Sequence, residues 1–458
     1  MAVTADLRAE LLRLIPDERR VADGDSVRDQ HAGDFSYHRP VRPDVVVFPE
    51  TTAEVAAVLE LADRAGVPVV PYGAGTSLEG HVIPLRGGIT LDLTRMSRIV
   101  ELYADDLAVT VQPGVTRLQL AEAVGPRGLF FPVDPGADAT LGGMAATNAS
   151  GTTTVRYGGM RAHVLALEVV LAGGRVVRTG TRAAKTSAGY NLTNLFVGSE
   201  GTLGVITELT LRLHPIPDVS IVARAAFPSL EDACRAAAAM IGAGVLVTRC
   251  ELIDAMTIGA INAYKGTEFP ETPHLFVEVG GTEASAAADI ESVREIAEDE
   301  GATAFRSESD PTARARMWDA RHNAFHAALA TAPGSRAMTT DVAVPVSELA
   351  AAMEHARTTL DASGLVGGIV GHAGDGNFHL AFLLDPDDEE SIARAERLNT
   401  AIVEDALARG GTCSGEHGIG FGKLAYLERE HGDLIPLMRG IKDLLDRNGI
   451  LNPGKVLP

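Results

Sequence analysis

Pro71-Tyr72-Gly73-Ala74-Gly75-Thr76-Ser77-Leu78-Glu79-Gly80 is a glycine-dense stretch with no charge before Glu79. Glycine accepts positive φ and close backbone approach, so consecutive amide N–H groups can line one concavity and bind a pyrophosphate. Thr76 and Ser77 add hydroxyl donors. The stretch lacks the helix-opening G-x-G-x-x-G of the Rossmann fold and the Gly-Lys-Ser/Thr of a P-loop. Taken alone it fits either a phosphate cradle or a plain turn. Two more segments of the same kind lie further along the chain. Pro132-Val133-Asp134-Pro135-Gly136-Ala137-Asp138-Ala139-Thr140-Leu141-Gly142-Gly143-Met144-Ala145-Ala146-Thr147-Asn148-Ala149-Ser150-Gly151 is rich in small residues and poor in charge. Its backbone could pack against a flat ring system, or it could be a long surface loop, although so apolar a loop would be poorly solvated. Gly198-Ser199-Glu200-Gly201-Thr202-Leu203-Gly204 is the third. Three such segments in one half of a chain favour a dinucleotide site more than any one alone.

Outward from the first loop, helix and strand alternate. Val45–Phe48 reads as a strand. Thr51 and Glu54 then form a capping box, and Val55, Val58, Leu59 and Ala62 follow at helical spacing until Gly66 ends the helix. Val67–Val70 and Gly88–Leu93 read as strands on either side of the loop, and apolar runs at 164–172 and 203–213 continue the pattern. Pro215 and Pro217 mark the expected boundary. Beyond them 220–227, 246–253 and 273–280 read as strands, 229–242 as an alanine-rich helix capped by Ser229 with Asp232, and 387–409 and 433–447 as helices. No short-period repeat or low-complexity linker separates the parts.

The chain has 458 residues, too many for one ordinary core. Its 40 Lys and Arg against 61 Asp and Glu give a net charge of −21. That opposes nucleic-acid binding, which needs a basic footprint, and an anionic substrate would need a local cationic pocket. Cys234, Cys250 and Cys413 are scattered and odd in number, as expected in a reducing compartment. No apolar run approaches the ~20 residues of a membrane span. The opening MAVTADLRAELLRLIPDERR predicts an amphipathic helix broken at Pro16, without the features of a signal peptide. A cytoplasmic location is the expectation, and homo-oligomerisation is left open.

The C-terminal half holds Gly371-His372-Ala373-Gly374-Asp375-Gly376-Asn377-Phe378-His379 and Gly415-Glu416-His417-Gly418-Ile419-Gly420. Histidines seven apart on one straight strand face opposite ways. Ala373 to Asn377 is turn-forming, however, so His372 can end one strand and His379 lie on its hairpin partner, with both imidazoles side by side. With a carboxylate added, the pair suits Zn²⁺, Mn²⁺ or Fe²⁺ with coordination positions left open; without one, it is an ordinary structural pair.

PYGAGTSLEG, PVDPGADATLGGMAATNASG and LFVGSEGTLG closely resemble the FAD-binding domain of the vanillyl-alcohol oxidase (PCMH-type) flavoproteins. The resemblance runs from about Arg42 to the C-terminus and extends to the FAD-linked D-2-hydroxyacid dehydrogenases. It implies an α+β chain with a helical segment at 1–41 and a PCMH-type FAD-binding domain of two α/β subdomains at 42–217. An FAD-linked oxidase C-terminal domain at 218–458 comes next, its antiparallel sheet flanked by helices. By the resemblance, Pro71, Tyr72, Gly73, Ala74, Gly75, Thr76, Ser77 and Leu78 cradle the FAD pyrophosphate. Pro135, Gly136, Thr140, Gly142, Gly143, Ala146, Asn148 and Gly151, with Gly201, Val205, Ile206 and Asn452, contact the rest of the cofactor. Covalent members often carry a histidine in the first loop; here Thr76 and Ser77 stand there and His81 lies past it, so the expected FAD is non-covalent.

The resemblance also assigns His372, His379 and Glu416 to a divalent metal, His417 to removal of the substrate hydroxyl proton, and Arg321 to the substrate carboxylate. A metal-bound hydroxyl is more acidic, a near-neutral imidazole suits proton removal, and an arginine fork suits a carboxylate. MWDARHNAFHAALATAPGSRAMTTDVAVP, VGHAGDGNFH and GTCSGEHGIGFGK are most similar to the branch that oxidises D-lactate with a cytochrome as acceptor. The D-2-hydroxyglutarate branch usually has a lysine and an asparagine where this chain has Thr339 and Ala381. The resemblance therefore implies a small D-2-hydroxy acid as substrate and a cytochrome, quinone or other non-NAD electron acceptor. The catalytic subunit of glycolate oxidase is a near alternative. A silent flavin-binding subunit of an electron-transfer complex, or an ether-lipid synthase on the same fold, fits poorly with a complete arginine–metal–base set.

Overall fold

The computed structural model describes residues 5–385 and 388–458. Residues 1–4 of the expected first helix, and position 387 at the start of the expected late helix, lie outside them. The chain divides into two units. The first takes residues up to Ser150, then Gly158–Ile216 and His417–Pro458; the second takes Gly151–Tyr157 and Pro217–Glu416. Among the described residues no helix is long and apolar enough to cross a membrane.

In the first unit, Val45–Val47, Ile89–Asp92 and Val69–Tyr72 run parallel with Ile89–Asp92 in the middle, and Val21–Ala22 adds an antiparallel edge. The helix Thr52–Ala65 connects Val45–Val47 to Val69–Tyr72. The Thr51 side chain accepts the Glu54 N–H at 3.2 Å, and Gly66 ends the helix at φ 62°. Only half of the expected capping box forms, because the Glu54 carboxylate instead accepts the Glu50 N–H at 2.7 Å and pairs with Arg20. Val55, Val58, Leu59, Leu61 and Ala62 are buried. Each large apolar side chain in that stripe contributes about 1.5–3 kcal/mol, so the stripe rather than the cap holds the helix in place.

The largest sheet of this unit is antiparallel, in the order Ile99–Tyr103, Ala108–Val111, Val205–Arg212, Val164–Val170, Val176–Gly180. The chain's last segment also belongs here, for a reason visible in the backbone. The Val69 N–H donates to Ile450 O and the Asn452 N–H to Val69 O, both at 2.8 Å, while Ile450 and Leu451 join the core around Val69. The units are therefore discontinuous, where the sequence suggested continuous segments.

The second unit is built on an eight-stranded antiparallel sheet. His274–Gly281, Val247–Ile253, Gly367–His372 and Asn377–Leu384 are consecutive neighbours near its middle. The helix Leu230–Gly242 begins where expected, with the Ser229 side chain accepting the Asp232 N–H at 3.1 Å. Strand register decides which side chains meet. Glu251 lies opposite His372, and Val370 lies opposite His379. Since side chains alternate along a strand, Glu251, His372 and His379 share one face.

Candidate functional site

In the first unit the three glycine-rich segments meet. The loop after Tyr72 passes so near its neighbours that side chains are excluded. A Cβ at Gly73 would lie 2.3 Å from Thr140 Oγ1, and one at Gly201 (φ +72°) would lie 2.9 Å from Pro71 Cγ. Gly142 is equally tight, 2.4 Å from Pro113 Cβ. The third segment is tied to the second by Gly198 N–H to Ala145 O at 2.9 Å and Glu200 N–H to Ala146 O at 2.8 Å. Among the described residues, the backbone N–H groups of Ala74 to Leu78 donate to no protein acceptor. A run of uncommitted amides in a glycine loop fits a pyrophosphate.

The second segment differs from its reading as a loop. Leu141–Thr147 is a short helix, because Leu141, Met144 and Ala145 fall at helical spacing and are buried. Asn148 ends it at φ 54°, its Oδ1 accepting the Arg161 N–H. Val205 and Ile206 open a strand of the antiparallel sheet. Asn452 donates its side-chain amide to Glu200 O at 2.7 Å and His81 O at 3.1 Å, which joins the C-terminal segment to the third glycine-rich segment and to the residue just past the first. Ser77 Oγ donates to Asp34 at 2.9 Å, so its hydroxyl proton is already engaged. Gly136 stands in open space, and Gly151 falls in the second unit.

His417 begins the last segment of the first unit. Its Nδ1 lies 3.6 Å from Glu79 Oε1, and the turn after it is clamped by Glu200, whose carboxylate accepts the Ile419 and Gly420 N–H groups at 2.7 and 2.8 Å. Burial opposes the charge on Glu200, but the adjacent His81 and these amides outweigh it and hold the carboxyl below its usual range. Neither Glu79 nor Glu200 was singled out as functional from sequence. Their only signal was an acidic residue inside each glycine-rich segment.

The second unit brings together His372, His379 and Glu416. One carboxylate oxygen, Glu416 Oε1, lies 3.6 Å from His372 Nε2 and 3.2 Å from His379 Nε2, with the two rings nearly perpendicular. Each imidazole is anchored through its other nitrogen. His372 Nδ1 is 2.7 Å from Glu251 Oε1, and His379 Nδ1 is 3.1 Å from the Thr340 carbonyl. Asp341 fixes the approach of Glu416 by accepting its backbone N–H and the Ser414 hydroxyl. Converging ring nitrogens backed by acceptors fit a divalent cation. Burial disfavours charge on His372, but Glu251 and Glu416 outweigh it and raise its pKa well above the ordinary value. Glu416 is pushed up by burial and pulled well below the carboxylate range by His372 and His379. Asp375, in the hairpin turn, is raised to about 6 by burial.

Arg321 lies on the helix Pro311–His322 and pairs with Glu251 through Nε at 3.0 Å and Nη2 at 2.6 Å. Sequence reasoning missed Glu251 altogether. An acid inside Thr248-Arg249-Cys250-Glu251-Leu252 looks like ordinary strand alternation until the register sets it opposite His372.

Residues 216–456 match the family of FAD linked oxidases, C-terminal domain, and residues 43–180 match an FAD binding domain. The chain is 46% identical over 449 residues to the probable D-lactate dehydrogenase, mitochondrial, of Danio rerio, covering 97% of this chain and 90% of that one. It is 47% identical to the D-lactate dehydrogenase [cytochrome], mitochondrial, of Arabidopsis thaliana, covering 92% and 75%. Among solved structures, 4-ethylphenol oxidase from Gulosibacter chungangensis superposes with a TM-score of 0.80 at 19% identity, covering 99% of this chain and 97% of that one, a likeness of fold. The expected cytoplasmic location is overturned, since both relatives are named as mitochondrial proteins. Scattered cysteines separate reducing from oxidising surroundings and carry no address within the former. With both family matches in order along the chain and near-half identity over nearly all of it, this protein belongs to the FAD-linked oxidases and is a flavin-dependent oxidoreductase.

Proposed function

We propose that the protein oxidises a small D-2-hydroxy acid, D-lactate foremost, to the 2-oxo acid and passes the electrons to a cytochrome. The observation that carries this reading is the convergence of His372 Nε2 and His379 Nε2 on Glu416 Oε1 at 3.6 and 3.2 Å. The Danio and Arabidopsis relatives, named for D-lactate and, in Arabidopsis, for cytochrome, support the substrate and acceptor.

Bound without a covalent link by the glycine-rich loops, FAD supplies the two-electron acceptor. His372, His379 and Glu416 would hold a divalent ion, Zn²⁺, Mn²⁺ or Fe²⁺, which would supply Lewis acidity for the hydroxyl. Arg321 binds the substrate carboxylate through its guanidinium, a planar fork that a lysine would not reproduce. His417 takes the hydroxyl proton at an imidazole nitrogen. The substrate would lose its hydroxyl proton to His417, and FAD, when bound, would supply the acceptor for two electrons and the Cα hydrogen.

Side-chain selection falls to residues on the ligand-bearing face of the sheet. Ala381 stands two residues after His379, and Thr339 is opposite it across the strand pair. Phe325 is 43% exposed on the helix Ala324–Ala330. None of the three carries a positive charge to pair with a second carboxylate, whose unpaired burial would cost several kcal/mol. Arg336 lies three residues before Thr339 on its strand, so it faces the other side of the sheet. The expected kcat/KM for D-2-hydroxyglutarate is therefore at least ~100-fold below that for D-lactate, each ~1.4 kcal/mol being a factor of ten. A steady-state panel of D-lactate, L-lactate, glycolate and D-2-hydroxyglutarate with an artificial acceptor measures this. Hydroxyglutarate equal to or better than lactate would contradict it.

A further inference from the structure

We propose that Glu251 is a positioning residue that fixes the metal ligand His372 and the substrate anchor Arg321 with a single carboxylate, a role that rests on the proposed functions of those two residues. Glu251 is completely buried and stands in register opposite His372 on the neighbouring strand. Directly opposed residues of an antiparallel pair bring their Cβ atoms within about 5.5 Å, so the contact is built into the sheet. The two oxygens divide the work. Oε1 accepts from His372 Nδ1 at 2.7 Å, while Oε2 accepts from Arg321 Nε at 3.0 Å and Nη2 at 2.6 Å.

A carboxylate at Nδ1 keeps the proton there, so Nε2, which faces Glu416, is the nitrogen whose proton a cation would displace. Arg321 is gripped along its Nε–Nη2 edge, which leaves Nη1 for a substrate carboxylate. The other histidine is anchored differently, since His379 Nδ1 meets the backbone carbonyl of Thr340, an acceptor no side-chain substitution removes. The ligand set is therefore asymmetric, and only the His372 limb depends on a carboxylate that also holds the anchor.

An amide at this position can accept at one atom only and turns N–H groups toward a donor at the other. Glu251→Gln disturbs both limbs at once. In flavin-loaded protein, zinc affinity measured by competition with a chelator should fall roughly 10–100-fold, the usual range for losing such a partner. With zinc saturating, KM for D-lactate should rise about tenfold, as for a lost charge-assisted hydrogen bond, with a smaller change in kcat. Arg321→Met should raise KM and leave zinc affinity unchanged, and His372→Ala should lose zinc. A buried pair of purely structural value would shift the melting temperature and neither constant. Should Glu251→Gln not fold, Glu251→Gln/Arg321→Met removes the buried cation together with the carboxylate and supplies the zinc measurement. Parent-like zinc affinity in whichever of these folds, beside loss of zinc in His372→Ala, overturns the role of Glu251 alone. Parent-like zinc affinity in His372→Ala overturns the metal assignment itself.

Discussion

Removing divalent metal, or replacing His372 with alanine, should abolish D-lactate oxidation while the flavin stays bound. The residues proposed for the cofactor lie mainly in the first unit, where among the described residues the N–H groups of Ala74 to Leu78 donate to no protein acceptor, whereas His372, His379 and Glu416 all belong to the second. Chelation therefore reaches one set of residues and leaves the other intact. A Lewis acid on the reacting oxygen contributes several kcal/mol, which amounts to a loss of about 10³-fold or more in turnover. The check is metal analysis, flavin absorbance and turnover on the same sample before and after chelation. Acid precipitation of that sample should then release the flavin into the supernatant. Active protein without stoichiometric metal, or flavin retained on the denatured chain, would refute the corresponding part.

His417→Ala should retain FAD and substrate but reduce its flavin roughly 10²–10⁴-fold more slowly in a single turnover, the cost of losing a positioned base. His417 directly follows the proposed ligand Glu416, and the turn beyond it is clamped at Ile419 and Gly420 by Glu200. The imidazole thus has little freedom to be replaced by a neighbour or by a shifted backbone. Stopped-flow mixing with D-lactate separates this step from reoxidation by the acceptor. A variant that reduces its flavin at nearly the parent rate would leave His417 with an orienting role only.

Much of the fold and the site was legible in the sequence because it is local. Thr51 and Gly66 delimit a helix through their own conformations, and Ala373 to Gly376 turn the chain so that His372 and His379 share a face. Glycine at positions 73, 142 and 201 lets the backbone approach Thr140, Pro113 and Pro71 more closely than a Cβ would allow. Register and chain return account for the features that escaped. Glu251 becomes a partner of His372 only once two strands more than a hundred residues apart are paired. The last segment joins the first unit through Val69 and Leu451, a contact no nearby pattern encodes. The small residues of 132–151 suggested a loop because glycine and alanine give little amphipathic contrast, yet Leu141, Met144 and Ala145 suffice for a short helix.

The decisive measurement is anaerobic mixing of metal-replete, oxidised protein with D-lactate or with L-lactate. The yellow absorbance should bleach with D-lactate at a rate compatible with turnover, pyruvate should form in step, and L-lactate should leave the spectrum unchanged. Flavin that stays oxidised in D-lactate would contradict the assignment of this chain as a D-2-hydroxy acid dehydrogenase.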